Sequence, residues 1–176
     1  MQKTSMPREK VMARVLGAGL AATFAFFSPG HAQDGAKADL AKVKAGLAVW
    51  RSSGCSECHG AFADGEKERD EAPSGANLRQ TRLDDATIAE TIRCGRPGAG
   101  MPSFGADAYK ERGCYGEPPG PAPDDLYPSG ATLNAAQIAD VVTYLRARIV
   151  GKRAVTPEEC AFYYGEQASS FCEDAK

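Results

Sequence analysis

Two cysteines and a histidine stand close together in the sequence, at Cys55, Cys58 and His59. Two thiols separated by two residues, with an imidazole directly after the second, form the attachment pattern of a c-type haem. In that chemistry both thiols add to the haem vinyl groups and the imidazole ligates the iron. With this short spacing, a tight turn carries both thioethers and holds the porphyrin edge. Only the next residue can then place its ring under the metal. A zinc or redox CxxC is the alternative, but such a zinc site needs a second ligand pair.

A second ligand candidate is Met101, which stands between Gly100 and Pro102 in a loop rich in glycine and proline. The other methionines all lie within the first 12 residues, in a segment that we expect to be removed. Met101 would then be the only thioether of the mature protein. A single methionine usually fills a hydrophobic core. Its place in a stiff loop instead favours a role as the second axial ligand of the iron.

The first 32 residues have the pattern of a secretory signal peptide. Basic residues precede an uncharged run from Val15 to Phe27, and small residues follow as far as Ala32. A run of about 13 residues is short for a membrane-spanning helix, which needs roughly 20. An uncleaved anchor is the alternative. We expect cleavage near Ala32 and Gln33 and export to the periplasm.

Cleavage would make the protein more acidic. The full chain has 21 basic and 23 acidic residues, and residues 1–32 hold four of the basic residues and one of the acidic ones. The mature chain, a domain over 33–151 with a C-terminal extension over 152–176, would carry a formal charge of −5. It has no basic stripe of the kind that binds nucleic acid. An acidic carrier is instead attracted to a basic surface on its partner.

Four cysteines remain besides the CxxC pair, and they are Cys94, Cys114, Cys160 and Cys172. Disulfides persist in an oxidising compartment such as the periplasm. Four cysteines allow three pairings, and proximity in sequence favours Cys94 with Cys114 and Cys160 with Cys172. Free thiols or a zinc site are the alternatives, which the compartment and the lack of a spare histidine disfavour.

Helical periodicity is the main secondary-structure signal. The pattern of apolar, capping and terminating residues predicts helices over residues 36–53, from Asp84 or Asp85 to Cys94, from Asn134 to Gly151, and from Thr156 onward. We expect a solvated loop over 60–73 and a long proline-rich covering loop over 106–130. Because the chain shows no alternating strand pattern, it should be mainly helical and form one domain with a disulfide-stapled tail.

With these features placed, the chain from Gly46 to Ala147 resembles class I cytochromes c. The matching residues are Gly46 and Trp50 on the first helix, the Cys55, Cys58 and His59 motif, Met101 in Gly-Met-Pro, and Tyr144 with Leu145 on the later helix. Gly75-Ala76-Asn77-Leu78 is similar to the family's Gly-Pro-Asn-Leu turn. The resemblance implies an all-α fold around one covalent haem c, with glycine at the helix crossing.

The resemblance also implies roles for individual residues. His59 and Met101 would ligate the iron, and the Ala76 carbonyl would accept a hydrogen bond from His59. Ala76 replaces the family's proline, but the carbonyl is retained. Four arginines near the haem-lining segments are candidates to pair with a propionate: Arg79, Arg82, Arg93 and Arg96.

One-electron transfer is the function that this resemblance implies, without a catalytic site. We expect a monomeric periplasmic carrier, with no stable membrane insertion, between a dehydrogenase and an oxidase or another cytochrome. In its acidic charge and extra disulfides, the chain resembles cytochromes that serve quinoprotein alcohol dehydrogenases. A haem peroxidase or gas sensor with a labile Met101 is the alternative, although the mature chain has no second histidine for acid–base chemistry. A subunit docked in a membrane complex is a third class.

Overall fold

The computed structural model describes residues 30–128 and 130–172, with side chains from residue 39 onward. Residues 1–29 of the predicted signal peptide lie outside the described residues. The described chain contains no β-strand, and its α-helices are α1 (Gly30–Ser52), α2 (Cys55–His59), α3 (Asp85–Cys94), α4 (Ala135–Tyr144), α5 (Pro157–Tyr164) and α6 (Ala168–Phe171). Short 3₁₀ turns occupy Leu78–Gln80 and Gly165–Gln167. The predicted all-α fold is confirmed.

Helices α1 and α4 cross at Gly46, and this crossing organises the fold. A Cβ at Gly46 would lie 2.0 Å from Asp140 O and 2.7 Å from Tyr144 Cβ. Only glycine therefore allows the two backbones to approach so closely. Beside the crossing, Trp50 and Tyr144 pack with ring centroids 6.1 Å apart. The predicted close crossing of two helices at this glycine is confirmed.

A continuous apolar core surrounds the crossing. Its buried members are Val43, Leu47, Trp50, Ala61, Ala63, Ile88, Ile92, Phe104, Leu133, Ile138, Val141, Val142, Tyr144, Leu145, Ile149 and Tyr163. These residues come from four of the helices and from the loops between them, so the cavity described below has a rigid apolar wall. None of the helices in the described part of the chain is both long and apolar enough to cross a membrane.

Three helices begin at the residues that the sequence predicted as caps. The Asp84 side chain accepts a backbone N–H from the first turn of α3, and the Thr156 side chain does the same for α5. Asn134 and Gln137 form a reciprocal capping box at the start of α4. Such a cap stabilises a helix by about 1 kcal/mol because it pairs N–H groups that the helix leaves free.

The end of α4 differs from the regular helix that the sequence predicted up to Gly151. Residues Leu145–Ile149 form a π-helical turn, which the Val150 N–H closes by donating to Leu145 O at 2.9 Å. The Gly151 N–H then donates to Arg79 O at 2.9 Å. The wider turn thus connects the end of α4 to the segment that follows Ala76.

Both disulfide pairs predicted from proximity are confirmed. Cys94 is bonded to Cys114, and Cys160 to Cys172. The first bond ties the long loop between α3 and α4, which contains no helix, to the end of α3. The second bond closes the tail, which packs on the domain because Tyr163 is buried in the core. The tail is therefore part of the same folded unit.

Candidate functional site

One cavity brings together the residues that the sequence singled out for chemistry. Its volume is about 1210 Å³, and Cys55, Cys58, His59 and Met101 all line its wall, as does Ala76. Helix α2 supplies the first three, and the loop after α3 supplies Met101. The structure therefore places in one space the residue types for two thioether bonds and two axial ligands.

Helix α2 is a single short helix whose start is fixed by Gly54. The φ of Gly54 is +71°, in the left-handed region that glycine enters without a steric penalty. Within α2, Cys58 lies three residues and His59 four residues after Cys55. Residues at these spacings share one face of an α-helix. The motif therefore presents two thiols and one imidazole to the same cavity, and neither thiol is in a disulfide.

The environment of the two thiols keeps them protonated. Burial raises the pKa of Cys55 to about 12. Burial also raises the pKa of Cys58, and the charge of Glu57 acts in the same direction. A redox-active CxxC pair uses a thiolate, which needs a lowered pKa. A neutral thioether suits these surroundings better, because it brings no charge into the apolar wall.

The ring of His59 is oriented by a single hydrogen bond. Its Nδ1 lies 2.8 Å from Ala76 O. A carbonyl can only accept, so Nδ1 carries the proton and Nε2 keeps a free lone pair for a metal. Burial lowers the pKa of His59, and the bond to Ala76 offsets part of that effect. Burial thus favours the neutral imidazole, which is the form that ligates iron.

Gly75 is a requirement of the site that the sequence analysis missed. A Cβ at this position would lie 2.7 Å from both Cys58 O and His59 Nδ1. The Gly75 N–H also donates to Cys58 O at 2.8 Å. Glycine thus lets the Ala76 turn approach the back of the histidine. The Gly-Ala-Asn-Leu sequence carried the signal, but only the second residue had been given a role.

Met101 is positioned through the backbone of its loop. The Arg96 N–H donates to Met101 O at 2.9 Å, which closes the loop at its base. Gly100 has a φ of +73° and lies against Pro73, on the segment that leads to the histidine turn. The side chain of Met101 is partly buried against the main core. The loop after α3 thus brings the thioether to the same cavity as the residues of α2.

Two of the four arginine candidates for propionate pairing were wrong. Arg79 is buried and pairs with Glu159, while Arg93 is buried and pairs with Glu90. Neither of them lines the cavity. Most of their donors are used inside the protein because a buried guanidinium must be paired, although Arg93 Nη1 has no hydrogen-bond partner among the described residues.

The other two arginine candidates differ from one another. Arg96 is exposed and lines the cavity, whereas Arg82 does not line it. The sequence analysis missed Arg69, which lines the same cavity and forms an ion pair with Glu57 at 2.9 Å. Arg96 is therefore the candidate from the original set that stays available to a propionate.

The cavity fits a covalently attached haem on the evidence of its own residues. It offers two protonated thiols, one imidazole with a free nitrogen and one thioether. Trp50 also lines it, and its Nε1 is buried with no hydrogen-bond partner among the described residues. Buried N–H groups are nearly always paired, so this donor fits a space that receives a group with polar substituents. Cys55, Cys58, His59 and Met101 would hold that group.

The mouth of the cavity includes residues that the sequence analysis had not named. Leu83, Tyr115 and Tyr127 line it, and each exposes about half of its surface. The two tyrosines belong to the proline-rich segment that was expected to cover part of the domain. Aromatic residues in a polar, proline-rich loop are a signal that could have marked them.

A second cluster of ligand-type residues does not form a metal site. Glu90, Cys94 and Cys114 lie close enough for their side chains to share an ion. The two sulfurs are bonded to each other, however, and a disulfide sulfur is not the thiolate that metals bind. The cluster is therefore part of the link between α3 and the long loop.

One comparison with known proteins covers the residues of this site. Residues 41–112 match a family model described as cytochrome C oxidase, cbb3-type, subunit III. The matched range contains the α2 motif, the Ala76 turn and Met101, and it ends before α4. No curated protein and no solved structure matches the chain significantly.

Proposed function

This chain contains a c-type cytochrome domain, and we propose that it is an exported monohaem carrier of single electrons between a dehydrogenase and a terminal acceptor. An oxidase or another cytochrome is the acceptor we propose. The observation that carries the proposal is the single cavity lined by Cys55, Cys58, His59 and Met101. These four residues match the attachment and ligand set of a His/Met cytochrome.

The proposed ligand set favours electron transfer over catalysis. When bound, the haem supplies an iron that changes between the ferrous and ferric states. His59 and Met101 are the residues that would ligate the iron, and with both bound the iron would not be open to a substrate. The thioether is a weak donor that favours the ferrous state and raises the reduction potential. The described chain also places no second histidine in the cavity.

The remaining residues of the site keep the ligands in place and water out. The Ala76 carbonyl fixes the ring of His59, and the Arg96 N–H fixes the backbone of Met101. Apolar residues such as Ile92 and Leu145 line the cavity between them. Because the same rigid ligands serve both oxidation states, the protein reorganises little on electron transfer.

Two features support export and an extracytoplasmic partner. Both disulfides are of a kind that persists in an oxidising compartment, and the first 32 residues have the pattern of a secretory signal. A mature chain with a charge of −5, made more acidic by haem propionates, is attracted to a basic docking surface. We therefore propose a dehydrogenase with such a surface as the donor.

Absorption spectroscopy of the purified holoprotein tests this function. We expect sharp bands of c-type haem in the reduced protein and the weak red band of methionine-ligated haem in the oxidised protein. We also expect no change when carbon monoxide is added to the reduced protein, because Met101 fills the sixth position. A prompt carbon monoxide shift would refute the carrier and favour a sensor or peroxidase with a labile methionine.

A second candidate function is a subunit of an oxidase complex. The family model that matches residues 41–112 is named for such a subunit. Size-exclusion chromatography of extracts from the source cells separates the two candidates. Elution of the c-type haem at the mass of one chain supports the carrier, whereas co-elution with an oxidase supports the subunit.

A further inference from the structure

The long loop between α3 and α4 carries two tyrosines that hold the base of the Met101 loop. The Tyr109 hydroxyl donates to Cys94 O at 2.9 Å, and the Tyr115 hydroxyl donates to Gly95 O. Cys94 ends α3, and the Met101 loop begins at Gly95. Two consecutive carbonyls at the start of one loop are thus fixed by side chains from another.

The peptide that Tyr115 holds is in direct contact with the backbone of Met101. A Cβ on Gly95 would lie 2.7 Å from Met101 O and 2.6 Å from the carbonyl carbon of Pro102. The next N–H along, that of Arg96, donates to Met101 O at 2.9 Å. Because these backbones are packed without a gap, displacement of Gly95 would displace the residue that carries the thioether.

The tyrosine loop is itself held firmly on α3. The disulfide from Cys94 fixes its middle, and the Arg93 guanidinium donates to the carbonyl of Gly113. Glu90 Oε1 accepts the Tyr115 N–H at 2.9 Å. These contacts come from one face of α3 and converge on residues 113–115, so the Tyr115 ring has a rigid base.

Both tyrosines have a backbone conformation that is unfavourable for residues other than glycine. The φ of Tyr109 is +64° and that of Tyr115 is +57°. Such a conformation persists only where surrounding contacts compensate for its cost. Burial also raises the pKa of both hydroxyls, so they remain protonated donors at neutral pH. Ala63 is the third non-glycine residue at positive φ in the described chain, and the other two are the tyrosines whose side chains reach the Met101 loop.

We propose that Tyr115, assisted by Tyr109, is a positioning residue for Met101. By fixing the carbonyls of Cys94 and Gly95, the two hydroxyls determine how firmly the thioether stays on the iron. They thereby set the access of other ligands to the sixth position and contribute to the reduction potential. This inference rests on the proposed function, in which Met101 is an axial ligand.

Titration of the ferric holoprotein with imidazole tests the proposal, because imidazole must displace Met101 to bind. The variant is Tyr115→Phe, which removes only the hydroxyl. The control is Tyr164→Phe, since Tyr164 ends α5 in the tail and does not line the cavity. Loss of one hydrogen bond should raise the apparent imidazole affinity about fivefold. The reduction potential should fall, and Tyr164→Phe should change neither quantity.

Each outcome of this experiment decides a separate point. A wild-type protein without the red band of methionine ligation would overturn both the proposed function and this inference. A normal wild-type spectrum with equal affinities for Tyr115→Phe and Tyr164→Phe would overturn the inference alone. So would a loss of unfolding stability without a change in imidazole affinity.

A second variant covers the case in which Tyr115→Phe does not fold. Tyr109→Phe removes the neighbouring donor to Cys94 O and should raise imidazole affinity in the same direction. Where both single variants fold, the double variant should exceed either of them. An affinity equal to that of the wild type in Tyr109→Phe would then overturn the proposal.

Discussion

The two axial-ligand candidates are held by contrasting means. His59 lies in the same short helix as both thiols, and its own ring is fixed by Ala76 O at 2.8 Å. Met101 is held through its backbone, by the N–H of Arg96 and by close packing against Gly95. The histidine position is therefore set by the motif and one neighbouring turn. The methionine position depends on everything that packs on its loop, including the long loop between α3 and α4.

The supports behind the two ligands differ in the same way. Behind His59, Arg79 follows the Ala76 turn and forms a buried ion pair with Glu159 of the tail. Behind Met101, the Cys94–Cys114 disulfide and a half-exposed tyrosine hold the loop. Elements near the surface open more readily than those in a packed core. We therefore expect perturbations on the methionine side to change ligand exchange, and those on the histidine side to change global stability.

The largest effect should follow from Met101→Ala, which removes the thioether. Ferrous protein should then bind carbon monoxide, and the reduction potential should fall because a weak donor that favours ferrous iron is lost. Difference spectra with carbon monoxide and a potentiometric titration measure both effects. An unchanged spectrum without carbon monoxide binding would show that Met101 is not the ligand.

On the histidine side, Arg79→Leu should destabilise the protein by about 3–5 kcal/mol, because it leaves Glu159 buried without its partner. The guanidinium also donates to three backbone carbonyls, those of Phe62, Lys152 and Ala154. Urea unfolding measures the loss, and imidazole titration of the folded protein should be unchanged.

The matched control for that variant is Arg79→Leu with Glu159→Leu, which removes both charges and should recover part of the stability. A rise in imidazole affinity equal to that of Tyr115→Phe would contradict the separation of the two sides.

The two disulfides offer an internal comparison. Replacing either pair with serines should cost about 2–4 kcal/mol of unfolding free energy, since each bond closes a loop of the unfolded chain. Only loss of Cys94–Cys114 should also raise imidazole affinity, because Cys160–Cys172 lies in the tail. Equal imidazole affinities in the two variants would show that the long loop does not act on Met101.

The smallest effect should be a dependence of methionine ligation on acid pH. The hydrogen bond from Arg93 lowers the pKa of Glu90 below its ordinary value of 4.5, and the Tyr115 N–H acts in the same direction. A lowered pKa means that Glu90 stabilises the fold above pH 4.5 and loses this contribution as the pH falls through the folded value. Two other charged groups lie near Glu90. Arg112 acts on it directly, and Asp107 forms an ion pair with Arg93.

Monitoring the red band of the ferric protein from pH 7 downward measures this dependence. Glu90→Gln should weaken the band at neutral pH and flatten its loss in acid. Glu111→Gln, at an exposed position of the long loop between α3 and α4, is the control and should match the wild type. Identical acid profiles for wild type and Glu90→Gln would exclude a role for this carboxylate.

Local features of the fold were predictable from the sequence. The caps at Asp84, Asn134 and Thr156 depend on residues within one turn, and the CxxCH spacing fixes the face of α2 by helical geometry alone. The helix crossing at Gly46 followed from a family resemblance, because a glycine in a helix has no local reason to be there.

Other contacts between distant segments were not predictable. The Glu159 carboxylate pairs with Arg79, and no local pattern marks a partner so far away. The π-helical turn at Leu145–Ile149 has no sequence signature of its own. Tyr109 and Tyr115 gained their roles only when the loop was placed against α3. In each case tertiary contacts override the local preference.

The buried pair of Arg79 and Glu159 also bears on the order of folding. The two residues are separated by 80 positions, so Arg79 cannot be neutralised until the chain beyond α4 has been synthesised. Until that pair forms, Arg79 is a charge without its buried partner, which destabilises the packing around it. We therefore expect nascent chains that end near Gly151 to remain loosely packed, with residues 55–59 accessible. The tail would then act as the last closing step after the cysteines have been modified.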